Sequence, residues 1–431
     1  MICTPWRRPL LASMLARVRA PISAIALFLC APVSVSAQLA CPTPWRLDEV
    51  LRIGSRENAD LIRNINDLAV GPDSVLYVAQ AMVPAVKVFS LEGQFLREIG
   101  RAGQGPGDIS GAASGVGWIG DTLWIADRSR IQLFTTSERV PEVMQFTLPM
   151  PEEGTRLTPG RMLADGTLVA ARRSITDWRA WLTASSLPLR RLSRSGEVID
   201  TLAIVDWSNN AVEYEADPGR PWLAIHPLKD LPTHGLNEYL TTLRPDGSAV
   251  VQVAKVHEDG TPPSFDILVI SIGGDTLLHR AVEYEPREVT SAMESRLADE
   301  FATMVVGDHI SPSLRAPMSE TTRSRRRLAA RSAFWVPEYH PPVREVVAGT
   351  DGTIWLLREM REDRVDVWEI YDSDGTLVAR VEVDQGHRFG KPWGPRLGIV
   401  LASRNEVWGT TFDEFSVPYI HRYRVDQTCV R

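Results

Sequence analysis

Cysteine is nearly absent from this chain: four in 431 residues, and two of them, Cys3 and Cys30, fall within the first 37. That excludes a disulfide-dense scaffold or a multi-cysteine zinc module, each of which needs several cysteines at short spacing. The eight histidines, His226, His234, His257, His279, His309, His340, His387 and His421, form no HxH or HExxH pair, so no compact metal motif exists. No GxSxG elbow is present, which removes the common hydrolase arrangement. Long apolar runs are missing too. The longest, Ala20 to Val33, falls short of the roughly 20 residues that cross a bilayer as a helix.

That stretch has a different reading. A basic region through Arg19, the apolar run and a small-residue site at Val35-Ser36-Ala37 predict a secretion signal over residues 1–37. Arg7-Arg8-Pro9-Leu10-Leu11 also fits a twin-arginine export signal. The expected mature chain is periplasmic or secreted, with no membrane span after cleavage. Because the first 37 residues hold four arginines and no acid, removing them takes the formal net charge from -7 to -11. So acidic a body argues against nucleic-acid binding.

What the chain does contain is a repeat. Six times a turn pair precedes a short apolar strand: Asp73-Ser74, Asp121-Thr122, Asp165-Gly166, Asp246-Gly247, Asp351-Gly352 and Asn405-Glu406. Around the first lie four strand-like segments joined by tight turns, Asn66 to Val70, Val75 to Ala79, Val86 to Ser90 and Gln94 to Ile99. Four antiparallel strands in that order make one propeller blade. The predicted fold is therefore an all-β, six-bladed β-propeller of four-stranded blades, occupying residues 38–431 as a single domain.

The aligned apolar strands, counted from Leu76 to Leu123, Leu168, Ala249, Ile354 and Val407, are 47, 45, 81, 105 and 53 residues apart. The two long intervals need added material. Trp207 to Thr233 is a polar, proline-bearing excursion, and residues 287–342 form an insertion between blades 4 and 5. The last blade lacks a strand, which Trp45 to Ile53 from the N-terminus is expected to supply. That closure would bring Cys41 and Cys429 to the site of a missing hairpin turn, where a disulfide would contribute roughly 5 kcal/mol in the simple loop-entropy model. Two unpaired thiols are the alternative.

GRAGQGPGDI followed by GVGWIGDTLWIADRSRIQLF, residues 100–109 and 115–134, resembles the NHL-repeat pattern. The match is partial over residues 64–99 and fades afterwards. The whole chain resembles exported bacterial six-bladed propeller proteins, which share a helical insertion before a blade start similar to Tyr339-His340-Pro341-Pro342-Val343. The resemblance implies a toroid with a central channel and loop-lined faces, binding proteins, peptides or RNA, with lyases and hydrolases among related propellers. It also makes Gly103 to Gly107 an inter-blade link rather than a phosphate loop.

Residues that begin inner strands are expected to face the channel: Asn66, Asp67, Arg161, Asn237, Tyr239, Arg344, Glu345 and Arg396. Converging polar groups in a concavity suggest a ligand site, and pairing among themselves is the alternative. In the insertion, Met293, Leu297, Phe301, Met304 and Val305 at helical spacing predict an amphipathic helix over Thr290 to Val306. A basic run follows, with Arg323, Arg325, Arg326 and Arg327. The insertion is read either as a docking arm over the channel mouth or as a decoration packed on blades 4 and 5 with solvated arginines. The leading function is binding of a protein, a peptide or a small anionic ligand, with no cofactor. The runner-up is a metal-assisted lyase or hydrolase whose divalent ion is held by single ligands from several blades.

Overall fold

A computed structural model describes residues 43–428, apart from 56, 58–61, 82, 128–129, 136–141, 146–154, 175–185, 207–210, 218, 226–239, 258–261, 308–317, 361–364, 385–397, 414 and 416. The expected signal segment, Asn237, Tyr239, Arg396, Cys41 and Cys429 lie outside the described residues.

The first strand, β1 (Thr43–Ile53), is followed by β2 (Ile65–Val70), β3 (Val75–Gln80), β4 (Val86–Ser90) and β5 (Phe95–Ile99), which form one four-stranded antiparallel sheet. A second comprises β6 (Ala113–Ile119), β7 (Thr122–Asp127), β8 (Arg130–Thr135) and β9 (Glu142–Gln145). A third has β10 (Thr155–Met162), β11 (Leu168–Ser174), β12 (Ser186–Leu192) and β13 (Val198–Asp206). After a separate hairpin, β14 (Ala211–Asp217) and β15 (Arg220–Ile225), come β16 (Thr241–Leu243), β17 (Ala249–His257), β18 (Ser264–Ser271) and β19 (Thr276–Glu283) as the fourth. Two helices follow, α1 (Ser291–Val305) and α2 (Glu320–Ala333). The remaining strands are β20 (Glu345–Ala348), β21 (Ile354–Met360), β22 (Val365–Tyr371), β23 (Leu377–Asp384), β24 (Gly398–Ala402), β25 (Glu406–Phe412) and β26 (Pro418–Asp426). With β1 they form one eight-stranded sheet, ordered β20-β21-β22-β23-β1-β26-β25-β24.

The joint in that sheet is made by β1. Its first residues run parallel to β23, pairing Thr43 with Ala379 and Trp45 with Val381, and Arg46 to Ile53 then pair antiparallel with β26. The N-terminal strand expected to complete the last sheet thus does so, and it also bridges to the preceding strands. Buried His421 of β26 fixes it further: Nδ1 lies 3.0 Å from Glu49 of β1 and Nε2 lies 2.7 Å from the Thr411 hydroxyl.

Each sheet packs on the next through apolar side chains. Tyr77 and Val88 meet Val116 and Ile125; Trp124 and Leu133 meet Met162 and Leu168; Val169 and Ala203 meet Val250; Phe265 and Ile267 meet Leu356 and Tyr371. Within the eight-stranded sheet Trp355 and Trp368 pack on Ile399, Val407 and Trp45, and its far end returns to the start, Trp408 and Ile420 meeting Leu68 and Phe89. The apolar interfaces therefore close a ring, and the arrangement is a β-propeller.

The repeated turns have a shared construction. Asp165 Oδ1 accepts from the N–H and hydroxyl of Thr167, and Asp246 with Ser248 and Asp351 with Thr353 repeat the pair of bonds. The intervening residue has a left-handed backbone at Gly166, Gly247 and Gly352, with φ of 77°, 70° and 84°.

The two excursions come together. The amphipathic helix expected over Thr290 to Val306 is α1; of the two placements expected for the insertion, packing of its apolar side on blades 4 and 5 is replaced by packing on the hairpin β14–β15, with Val212, Tyr214, Met293, Leu297, Phe301 and Ala330 buried in one shared core. Thr290 caps α1 by accepting from the Met293 N–H, and Ser319 caps α2 by accepting from Thr322. Phe301 and Phe334 lie with ring centroids 5.0 Å apart. The long intervals in the repeat thus build a single lobe from two separate parts of the chain.

Candidate functional site

A cavity of about 390 Å³ touches every inner strand or the turn that follows it. Leu68 to Val70 end β2, Val116 to Trp118 lie near the end of β6, and Arg161 sits near the end of β10; Asp246 follows β16, Thr350 follows β20, Leu401 and Ala402 end β24, and Ser403 follows it. Only a position on the ring axis reaches all of them, so the cavity is one mouth of the channel. Its walls combine apolar strand ends with few polar groups, the usual make-up of a small-molecule site.

Two of those polar groups lack ordinary hydrogen-bond partners. The Trp118 indole Nε1 is buried and bonds to nothing among the described residues, while its ring stands edge-on to Tyr77 at 5.3 Å. Arg161 reaches Asp67 only at 3.8 Å, beyond hydrogen-bonding range. By contrast Glu406 is committed to Arg422, which bonds it at 2.6 Å, and to the Trp408 indole.

Asp67 and Arg161, both expected at the channel, are therefore brought together, but Asp67 has a structural task. Its carboxylate accepts from the Leu68 N–H at 2.9 Å and from the Val116 N–H of the neighbouring inner strand at 3.1 Å. Burial pushes its pKa upward, opposed by Arg161 and these two backbone donors. Asn66 also crosses to β6, donating to the Ala113 carbonyl at 2.8 Å. Arg344, expected in the channel, instead lines a second cavity between β19 and the strands β21 to β23, and Glu345 begins β20 half-buried with bonds of its own. Trp118 and Trp408 were not among the expected residues. The signal that could have found them is position: Trp118 closes an inner strand two residues before a turn, and Trp408 lies just inside one of the six turn-plus-strand units.

The residues carrying the NHL-like pattern act as a clamp on the link between sheets. Buried Asp127 accepts from the Ser110 N–H at 2.6 Å and from the Ser110 hydroxyl, and it pairs with buried Arg130 at 2.6 Å. Arg130 also donates to the carbonyls of Gln104 and Asp108, and Gln132 bonds both the Gly107 N–H and the Asp108 carbonyl. Gly103 and Gly107 thus sit in an inter-sheet loop, as expected, Gly103 donating to the Ile109 carbonyl and Gly107 to Gln132.

The arginine run expected as one basic patch is divided. Arg326 lies 3.8 Å above the Trp222 ring of the hairpin, Arg323 pairs with Glu320, and Arg331 bonds Asp299 of α1 at 2.5 Å. Exposed Arg325 and Arg327 have contacts of their own. Among the described residues no group of three or more His, Cys, Asp or Glu side chains is arranged to hold a metal ion, and no helix is long and apolar enough to cross a membrane.

No protein-family model matches the chain, and no curated protein matches its sequence. Among solved structures it is similar to an exported protein of Bacteroides fragilis at 11% identity, covering 89% of this chain and 95% of that one, with a TM-score of 0.43. A calcium-binding regucalcin from Agrobacterium tumefaciens aligns at 12% identity, 90% and 97% coverage and a TM-score of 0.37. A catalytically inactive virginiamycin B lyase from Staphylococcus aureus with quinupristin aligns at 12%, with 88% and 99% coverage and a TM-score of 0.37.

Proposed function

We propose that this chain is an exported binding protein whose propeller ring has six blades, the eight-stranded sheet being two blades joined by β1, and that it takes a small anionic ligand at the channel mouth. The observation that carries this reading is the axial cavity in which, among the described residues, the Arg161 guanidinium has only a 3.8 Å contact to a carboxylate and the Trp118 N–H has no partner. A carboxylate with an apolar or flat body suits it: the anion meets Arg161, and the body lies against Trp118, Trp408 and Leu401.

The test is isothermal titration of the mature chain with benzoate, indole-3-acetate and hexanoate. Saturable binding of at least one, weakened about tenfold or more by Arg161→Ala, supports the reading. Absence of binding, or binding indifferent to that substitution, rejects it. The Cys41–Cys429 disulfide belongs to the same proposal of an exported, ring-closed chain; peptide mapping without reductant should recover the two cysteines on one linked fragment, and free thiols would refute it.

A further inference from the structure

We infer that the crevice between β19 and the sheet face of β21–β23, beside the two ends of the helical insertion, is a second binding site, suited to a short peptide with free amino and carboxyl ends. The cavity there is about 490 Å³, within the range of sites that enclose small organic ligands.

Its floor is unusual for an interface between packed sheets. Strand β22 is otherwise buried and apolar on this face, yet Glu369 occupies it at 5% exposure. A carboxylate there is costly unless fully hydrogen-bonded. It is: Oε2 accepts from the Arg358 guanidinium and from the Tyr371 hydroxyl at 2.7 Å, and Oε1 accepts from Arg380 through Nε at 3.1 Å and Nη2 at 2.7 Å. Buried ion pairs of this kind are weak contributors to stability compared with apolar packing, so stability alone is a poor reason for them.

What Glu369 does achieve is to fix two guanidinium groups. Arg358 is held additionally by the Pro342 carbonyl at 2.5 Å and by the Phe265 ring 4.8 Å away. The bonds leave Nη1 of Arg380 without a hydrogen-bond partner among the described residues, and both side chains line the cavity. One carboxylate between two guanidiniums leaves a surplus positive charge, positioned to receive a ligand carboxylate in the paired geometry arginine favours.

The opposite wall carries the complementary charge. Glu283, at the end of β19, and Glu285 line the same cavity, are exposed, and have no ion pair among the described residues. Arg287, Arg344 and Glu382 line the cavity as well but have contacts of their own, so the uncommitted groups are acids on the β19 side and the guanidinium edge of Arg380 on the other, which match a zwitterion whose ends are separated rather than a simple anion. The size of the space favours a peptide of a few residues over a single ion.

The insertion connects to this crevice through its two ends. The two ends of the insertion are tied beside it by Val289 donating to the Glu338 carbonyl and His340 donating to the Arg287 carbonyl, both at 2.8 Å, and Arg287 and His340 line the cavity. An occupant therefore contacts both the ring and the base of the lobe.

The probes are the dipeptides Ala-Ala, Ala-Phe and Ala-Glu, each also N-acetylated or C-amidated, titrated calorimetrically into the mature full chain. At least one free dipeptide is expected to bind with a Kd of about 1 mM or tighter. Blocking either end should weaken it tenfold or more. In the Arg161→Ala background, where carboxylate binding at the channel mouth does not contribute, Arg380→Gln and, separately, the double change Glu283→Gln with Glu285→Gln should each cause a comparable loss. The glutamates are exposed, so their variant tests the site even if Arg380→Gln perturbs folding. No binding by any of the three dipeptides, equal binding of the blocked forms, or indifference to the double glutamate variant would overturn the inference, whatever becomes of carboxylate binding in the channel.

Discussion

Asp127 shows how a recognisable motif residue can be wholly occupied with architecture. Its carboxylate is fully buried, and every bond it makes holds the loop between the first two sheets. Removing one partner of a buried pair leaves the other charge uncompensated, so Arg130→Met should cost about 3–5 kcal/mol, read from urea unfolding at constant m-value. A cost under 1 kcal/mol would show that the clamp is incidental. His421 gives a pH test. Burial lowers its pKa below the ordinary 6.5, outweighing the Glu49 hydrogen bond that would raise it. The unfolded chain then binds more protons than the folded one below pH 6.5, so stability present above that value is lost on acidification. Glu49 acts in the same direction at lower pH: burial alone would raise its pKa, but the hydrogen bonds of Arg52 and His421 bring it below 4.5, so its contribution is lost only below that value and not between pH 7.5 and 5.5. Urea midpoints at pH 7.5 and 5.5 should fall with acidity, and the fall should be shallower in His421→Asn; equal slopes would discount the residue.

Local elements were largely legible because their causes are local. An Asp-Gly turn bonded to the following Thr or Ser side chain announces itself within three residues, and Asp165, Asp246 and Asp351 all do so. At Asp73 the left-handed position is held by Ser74, with φ of 58°, so the same turn is present without its glycine. The lobe was legible only in part. Helix α1 has large apolar residues at four-residue spacing, whereas α2 buries only small ones, chiefly Ala330, and reads as a basic run. In β14 the alternation of Val212, Tyr214 and Ala216 with Glu213 and Glu215 is a strand pattern, but nothing nearby indicates that its apolar face meets α1. Phe301 is the test of that shared core: Phe301→Ala should cost about 3–5 kcal/mol and expose the hairpin to limited proteolysis. An unchanged digestion pattern and melting temperature would refute the joint packing.

For the molecule as a whole, the all-β propeller arrangement and the closing strand at the N-terminus were both readable, since each follows from counting strands. Which polar residues meet on the axis was not readable, because Trp118, Arg161 and Trp408 come from three distant sheets and depend on how each strand ends. Closure itself can be tested. Deleting residues 43–53 removes Trp45 and Ile53 from two apolar interfaces and bares the edge of β26. The truncated protein should melt at lower temperature and self-associate in light scattering; a monomer of unchanged stability would show β1 to be dispensable. The shared core of the lobe bears on inheritance as well. The hairpin and the helical pair sit on opposite sides of the fourth sheet in sequence, yet each leaves an apolar face bare without the other. Relatives of this chain should therefore carry both additions or neither, and a graft that moves only one to another propeller should precipitate rather than fold.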